Sequence, residues 1–329
     1  MRTIAAAIIF ACWLAQPVRA QAPAPPAPAL QPLAPGVWLL PGRFERGRQP
    51  DGNSLLLQGP DGLVIVDSGR HADHTQALID AVRERGQPLV AVLNTHWHLD
   101  HLGGNAMLRE AAPALRAYAA PAVRDAVRRR LPASAADLER MKADPQLDAD
   151  TRRMVEIDLA LYARRAAFEP DVLIEGGAQP LRLAGRPLQV GVEFGVSGGD
   201  LWLLDSASGT LVVGDFITLP VPFFDTACPE RWQRSLARLG ALPFERVVPG
   251  HGPVMSRADF DRYRSAFDRL LACAASDKAV AACGEGWLAD LGPLLPAGSQ
   301  RVVLGMLGHY LTQRLRAPAE KSSADCQGS

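Results

Sequence analysis

The chain has 329 residues, and its 35 lysines and arginines balance 35 aspartates and glutamates, so its formal net charge at pH 7 is zero. That balance gives no electrostatic reason to expect nucleic acid or an anionic membrane surface as a partner. Hydrophobic residues make up 48% and charged residues 21%, which excludes a largely disordered chain, and the length supports a large core.

The first element reads as an address. Arg2 precedes an apolar stretch, Ile4 to Ala15, and Val18-Arg19-Ala20 stands just before Gln21. A positive start, a short apolar core and small residues at −3 and −1 predict a secretory signal over 1–20, cleaved after Ala20. The apolar run is too short to span a bilayer as a helix, so no membrane span is expected. Ile9-Phe10-Ala11-Cys12 loosely resembles a lipoprotein signal, but bulky Phe10 favours simple cleavage. The Ala/Pro-rich segment 21–34 predicts a stiff tether, with folded chain from about Leu33. Export places the protein in the periplasm or outside the cell and leaves Cys228, Cys273, Cys283 and Cys326. Four cysteines in an oxidising compartment leave three pairings open, and free thiols as well. The short spacing favours Cys273 with Cys283.

Residues 54–58 and 62–67 are apolar runs around Gly-Pro-Asp-Gly and predict a hairpin. Residues 71–86 read as a helix that Gly86 stops, and 88–94 as a further apolar strand, completing a strand–helix–strand unit. Residues 106–167 are helix-rich, and strands are expected at 181–194, 201–204, 210–214 and 246–248. Ser256 and Asp259 have the spacing of a capping box. Phe260, Tyr263 and Phe267 recur on one face of the helix it opens. A last helix is expected over 301–316, followed by a loose tail. Arg128-Arg129-Arg130 reads as a solvated helix face.

The chemistry is concentrated in Thr95-His96-Trp97-His98-Leu99-Asp100-His101-Leu102-Gly103-Gly104. Three histidines and a carboxylate lie within six residues of a chain that has only 7 histidines. Alternation aims His96 and His98 at one point, and Asp100 and His101 reach a second. Imidazole and carboxylate are zinc ligands. If His96 and His98 point inward, Trp97 points away and packs.

His-x-His-x-Asp-His after a strand resembles the signature of the metallo-β-lactamase superfamily. Gly214-Asp215 after the strand Thr210 to Val213, and Pro249-Gly250-His251-Gly252 after another strand, extend the resemblance over roughly 35–262. It implies an αββα sandwich of two mixed sheets flanked by helices; the chain beyond it, 263–329, reads as a helical extension with a loose tail. It also implies that Asp215 bridges two metals. The first site would take His96, His98 and Asp215, and the second Asp100, His101, Asp215 and His251. Gly199-Asp200-Leu201, Pro222-x-x-Asp225 and Trp232 look most like the periplasmic quinoprotein-relay type zinc metallohydrolases.

The chain departs from this pattern at one position. Where the superfamily supplies a further histidine to the first site, this chain has Val196, and no histidine occurs from 102 to 250. Three readings follow. The first site is weak or empty beside one tight zinc, His71 or His74 substitutes, or His96, His98 and Asp215 form a facial triad for iron. The superfamily's iron dioxygenases use the missing histidine, which weighs against iron. For His71 and His74 a helix-surface place is the simpler expectation. The expected function is an exported zinc hydrolase. Metal-bound hydroxide, made as metal lowers the pKa of water from 15.7 towards ~7, would attack an ester, thioester, lactone or amide carbonyl. Asp100 would be the catalytic carboxylate that orients the attacking water. The substrate would be a small molecule, with Phe223, Phe224 and Trp232 as candidates for its mouth. Two alternatives stand beside this. One is a true β-lactamase, against which Asp215 weighs. The other is a metal-binding accessory protein whose catalysis Val196 has impaired.

Overall fold

The computed structural model describes residues 29–45, 47–317 and Cys326. The expected signal, its cleavage junction and most of the tether lie outside the described residues. The chain builds β1 (Gln31–Ala34), β2 (Val37–Leu40), β3 (Ser54–Gly59), β4 (Gly62–Val66), α1 (Ala72–Arg85), β5 (Leu89–Leu93), α2 (Leu99–Leu102) and α3 (Asn105–Ala111). There follow β6 (Arg116–Ala119), α4 (Pro121–Asp125), a π-helical turn (Ala126–Arg130), α5 (Leu131–Lys142), α6 (Ala149–Ala163) and β7 (Val172–Leu173). The second half holds β8 (Gln179–Leu183), β9 (Arg186–Glu193), β10 (Asp200–Asp205), β11 (Thr210–Thr218), α7 (Pro229–Gly240), β12 (Arg246–His251) and β13 (Met255–Ser256). Three helices close it: α8 (Arg257–Ala274), α9 (Val280–Leu291) and α10 (Gln300–Tyr310), which runs on into a π-helical turn.

Two mixed sheets result, one ordered β1-β2-β3-β4-β5-β6-β7 and the other β13-β12-β11-β10-β9-β8. The period-2 alternation of strand side chains decides what each face meets. In β4, Val64 and Val66 point into the layer between the sheets, where Val190, Leu201, Leu203 and Val212 arrive from the other side. Leu63 and Ile65 point outward, against Leu78 and Ile79 of α1 and Leu108 of α3. In the second sheet, Trp202, Leu204, Leu211 and Val213 face outward onto Trp232 of α7, Phe260, Tyr263 and Phe267 of α8, Trp287 of α9 and Leu307 of α10. The architecture is therefore αββα, with C-terminal helices. A strand covered on both faces reads as a near-continuous apolar run, as β4 does and as β10 and β11 do over Leu201–Leu204 and Leu211–Val213.

Local signals behave as physics requires. Gly86 ends α1 in the left-handed conformation, with φ 62°. Ser256 and Asp259 form the reciprocal capping box at the start of α8. Three features differ from the sequence reading. Residues 31–34, assigned to the tether, pair with β2 as an edge strand, a position that tolerates Pro32. The boundary expected at 262/263 falls inside α8, and the helices beyond it share the outer core of the second sheet. The tail is tied rather than loose at Cys326, which is joined to Cys228, while Cys273 on α8 is joined to Cys283 on α9.

Candidate metal centre

The sandwich brings together six side chains that lie up to 155 positions apart, His96 to His251, at one edge of the two sheets. His96 and His98 follow β5, and Asp100 and His101 sit in the short α2. Asp215 lies in β11, and His251 ends β12. They form two groups, His96–His98–Asp215 and Asp100–His101–His251, and within each the candidate ligand atoms all lie within 4.8 Å of one another. Asp215 spans both groups. Its Oδ2 is 3.6 Å from His96 Nε2 and 4.0 Å from His98 Nδ1. Its Oδ1 is 3.2 Å from His101 Nε2 and 3.5 Å from His251 Nε2. Asp100 Oδ2 is 2.9 Å from His251 Nε2, and Arg70 lies 3.8 Å from Asp100 Oδ1.

Two of the atoms that converge here lack ordinary partners. His101 Nε2 and Asp215 Oδ1 are buried and make no hydrogen bond, a costly state unless something satisfies them. Surrounding groups determine which ring nitrogens face inward. Thr95 Oγ1 donates to Asp67 Oδ2 at 2.7 Å, so it accepts from His96 Nδ1 at 3.0 Å. His101 Nδ1 donates to the same Asp67 oxygen at 2.8 Å. Both rings therefore spend Nδ1 on these partners and turn Nε2 to the centre, the nitrogen left to bind a metal. Charge tells the same story. Burial, with His101 and His98 beside it, holds His96 well below the usual imidazole range, and burial pushes His98 down to about 3. His101 differs: burial opposes charge there too, but Asp215, Asp100 and Asp67 outweigh it and raise the imidazole well above its usual range, so the metal-free ring keeps a proton on Nε2 that a bound cation would displace. Carboxylates this close call for a cation between them, and the donor set of nitrogens and oxygens suits zinc.

Val196 is fully buried, belongs to the outer apolar core and offers no donor atom. Its turn is held by Asp200, which accepts from the main-chain N–H of Val196 at 3.0 Å and Ser197 at 3.2 Å. Burial pushes the Asp200 carboxyl up to about 7 despite these bonds.

His71 and His74 lie in neither group, and the helix-surface place expected for them is corrected: both are buried. The N-terminus of α1 packs inward, so His71 Nδ1 meets Asp51 at 3.1 Å and His74 Nε2 meets Ser54 Oγ at 2.8 Å. Trp97 does point away from the centre, and its indole N–H donates to the Ser197 carbonyl at 3.2 Å. Of the three candidate mouth aromatics, only Phe223 flanks the centre, 5.4 Å from the His98 ring. Phe224 and Trp232 are core. Arg128 and Arg129 pair on the surface with Glu169 and Asp125, whereas Arg130 turns inward over Trp97 at 4.8 Å.

Sequence reasoning missed Asp67, Thr95, Arg70 and Thr226 as partners of the six. Asp67 carried a signal, an acid at the end of a buried strand like Asp215, and Thr95 adjoins the histidines. Arg70 and Thr226 carried none.

Comparison with known proteins agrees with this geometry. Residues 47–251 match the model of a family described as the Metallo-beta-lactamase superfamily. Over 70 residues the chain is 37% identical to a hydroxyacylglutathione hydrolase of Synechococcus sp. (strain JA-2-3B'a(2-13)), covering 21% of this chain and 26% of that one. Over 95 residues it is 34% identical to an atrochrysone carboxyl ACP thioesterase of Passalora fulva, covering 28% of each. The chain thus matches only about a quarter of these relatives' lengths. A metallo-beta-lactamase from Pontibacter korlensis shares the fold, with a TM-score of 0.52 at 18% identity over 73% of this chain and 99% of that one.

Proposed function

The chain belongs to the metallo-β-lactamase superfamily, and from that membership we propose that it is an exported, zinc-dependent hydrolase of a small carbonyl compound. The observation that carries this reading is the sharing of Asp215 between two donor groups, with His101 Nε2 and Asp215 Oδ1 buried without hydrogen bonds. When bound, zinc supplies a Lewis acid that polarises a carbonyl and acidifies water. Asp100, His101 and His251, with Asp215 Oδ1, offer four donors and would hold the tight ion. His96, His98 and Asp215 Oδ2 offer three and would hold the weaker one. Asp100, flanked by His251 and Arg70, orients the attacking water and takes up its proton. Phe223 forms an apolar wall beside His98 that favours a substrate with an apolar flank.

One matched relative is named a thioesterase and another a hydroxyacylglutathione hydrolase, so a thioester heads the substrate panel. Ester, lactone and amide follow, including the β-lactam. Export is supported by the signal-like 1–20 and by two joined cysteine pairs, which suit an oxidising compartment. Among the described residues no helix is long and apolar enough to cross a membrane. The periplasmic quinoprotein-relay type is the branch we favour, on the short motifs around Asp200, Asp225 and Trp232.

Metal content after dialysis, paired with turnover of the panel before and after chelation, tests the reading. The expected result is about one tight zinc per chain and turnover that chelator removes and zinc restores. Iron as the retained metal would refute the zinc assignment. Full zinc loading with no turnover of any substrate would favour the accessory-protein reading, which rests on the buried, donor-free Val196.

A further inference from the structure

We propose that Thr226 is the positioning residue of His98, and that the C-terminal helices hold Thr226 in place. The first metal group would then depend on chain outside the matched span 47–251. The inference rests on the metal reading of His96, His98 and Asp215, and its test separates the two.

The local argument is one of hydrogen counting. The Thr226 hydroxyl donates to the main-chain carbonyl of Val196 at 2.8 Å. A hydroxyl has one hydrogen, so towards His98 Nε2, 3.1 Å away, the same oxygen accepts. His98 Nε2 therefore carries the ring proton. Its Nδ1 turns a lone pair towards His96 Nε2, 2.9 Å away. The His96 Nε2 lone pair faces it in turn, because Thr95 takes the Nδ1 proton. Two lone pairs at that distance repel unless a cation lies against both. Val196, with no side-chain donor, thus still serves this group through its carbonyl, and Thr226 relays it.

Thr226 lies in the irregular segment between β11 and α7, where no ladder holds the backbone. The C-terminal helices and Cys326 beyond them grip that segment at three points around it. The Trp287 indole on α9 donates to the Pro220 carbonyl at 2.9 Å. Arg314, just beyond α10, reaches Asp225 at 2.7 Å, and the Tyr310 hydroxyl donates to Asp225 at 3.3 Å. Cys228 is bonded to Cys326. Asp225 and Cys228 flank Thr226 in sequence, so these contacts set where its hydroxyl stands. Phe223, between His98 and Tyr310, closes the same arrangement, at 5.4 Å and 6.2 Å.

The test compares Thr226→Val, which keeps the shape and removes the hydroxyl, with Thr226→Ser, which restores it, and with Arg314→Ala. Nitrogen-15 histidine spectra of the metal-free protein report the His98 tautomer, and cobalt titration reports the two ions separately. Wild type should show His98 with its proton on Nε2. Thr226→Val should lose that uniform tautomer and weaken the first ion about 10- to 100-fold, leaving the second unchanged. Thr226→Ser should recover both readouts, and Arg314→Ala should move both in the same direction by less. A wild-type proton on Nδ1, an unchanged Thr226→Val tautomer, or equal loss of both ions would overturn the proposal. A chain that binds no cobalt would refute the metal reading, while the metal-free tautomers would still decide for or against Thr226.

Discussion

Asp67→Asn changes one atom's chemistry and should disarm both metal groups. Asp67 is buried, with a φ of 57° that asparagine also tolerates, so the backbone has no reason to move. Oδ1 accepts the Thr95 main-chain N–H at 2.8 Å, and an amide oxygen does the same, which orients the new side chain. The amide nitrogen then stands where Oδ2 stood, against His101 Nδ1 at 2.8 Å and Thr95 Oγ1 at 2.7 Å. A donor now faces two donors. His101 must give up its Nδ1 proton and carry it on Nε2, the nitrogen that faces the centre. Thr95 must turn its hydrogen to His96 Nδ1, which moves that proton inward too. Loss of such an orienting partner costs about 10- to 100-fold in metal affinity, or about 1.4–2.7 kcal/mol per ion. Competition with a chelator of known affinity measures the loss for each ion, and urea unfolding of the metal-free protein checks that the fold is kept. Wild-type affinity for both ions in Asp67→Asn would refute the tautomer argument at its root.

Gly250→Ala should abolish activity, because a Cβ there would stand 1.9 Å from Asp215 Oδ1. Metal analysis and circular dichroism would separate loss of the site from loss of the fold, and a fully active variant would contradict the geometry. The two disulfides close spans of 98 and 10 residues. Removing Cys228–Cys326 by double serine substitution should cost about 2 kcal/mol more than removing Cys273–Cys283 in the chain-entropy model, and denaturant midpoints with their slopes give the comparison. Equal costs would mean that strain or residual structure, rather than loop closure, sets the effect. Burial, only partly offset by Asp51, pushes the His74 imidazole down from 6.5 to about 4. As pH falls from 6.5 towards 4 the unfolded chain gains a proton that the folded chain refuses, so stability should decline by up to about 3 kcal/mol and then level off. Urea titrations of chelated protein at pH 7, 5.5 and 4 should show that decline in wild type and less of it in His74→Gln. An identical slope in both would assign it to other groups.

What the sequence determines by itself is local and repetitive. The unbroken apolar run Leu63 to Val66 carries the two-faced burial of a central strand, and Gly86 and the Ser256–Asp259 box carry helix ends, because each depends on neighbours within a few positions. The ligand cluster after β5 was legible for the same reason: four chelating side chains in six residues have few other uses. The fold followed from that cluster together with Asp215 and His251 in their strand contexts. What only the tertiary structure decides is which ring nitrogen faces the candidate metal centre and what holds the ring. Asp67 meets Thr95 across 28 positions and His101 across 34, and Thr226 meets His98 across 128. The burial of His71 and His74 and the tying of the tail through Cys326 are of the same kind. A hydrogen bond between distant segments imposes no period and no composition on the chain. It needs one donor and one acceptor, and almost every segment supplies both. Ligand identity is therefore written in residue type, whereas ligand orientation is set by which segments the sandwich packs side by side.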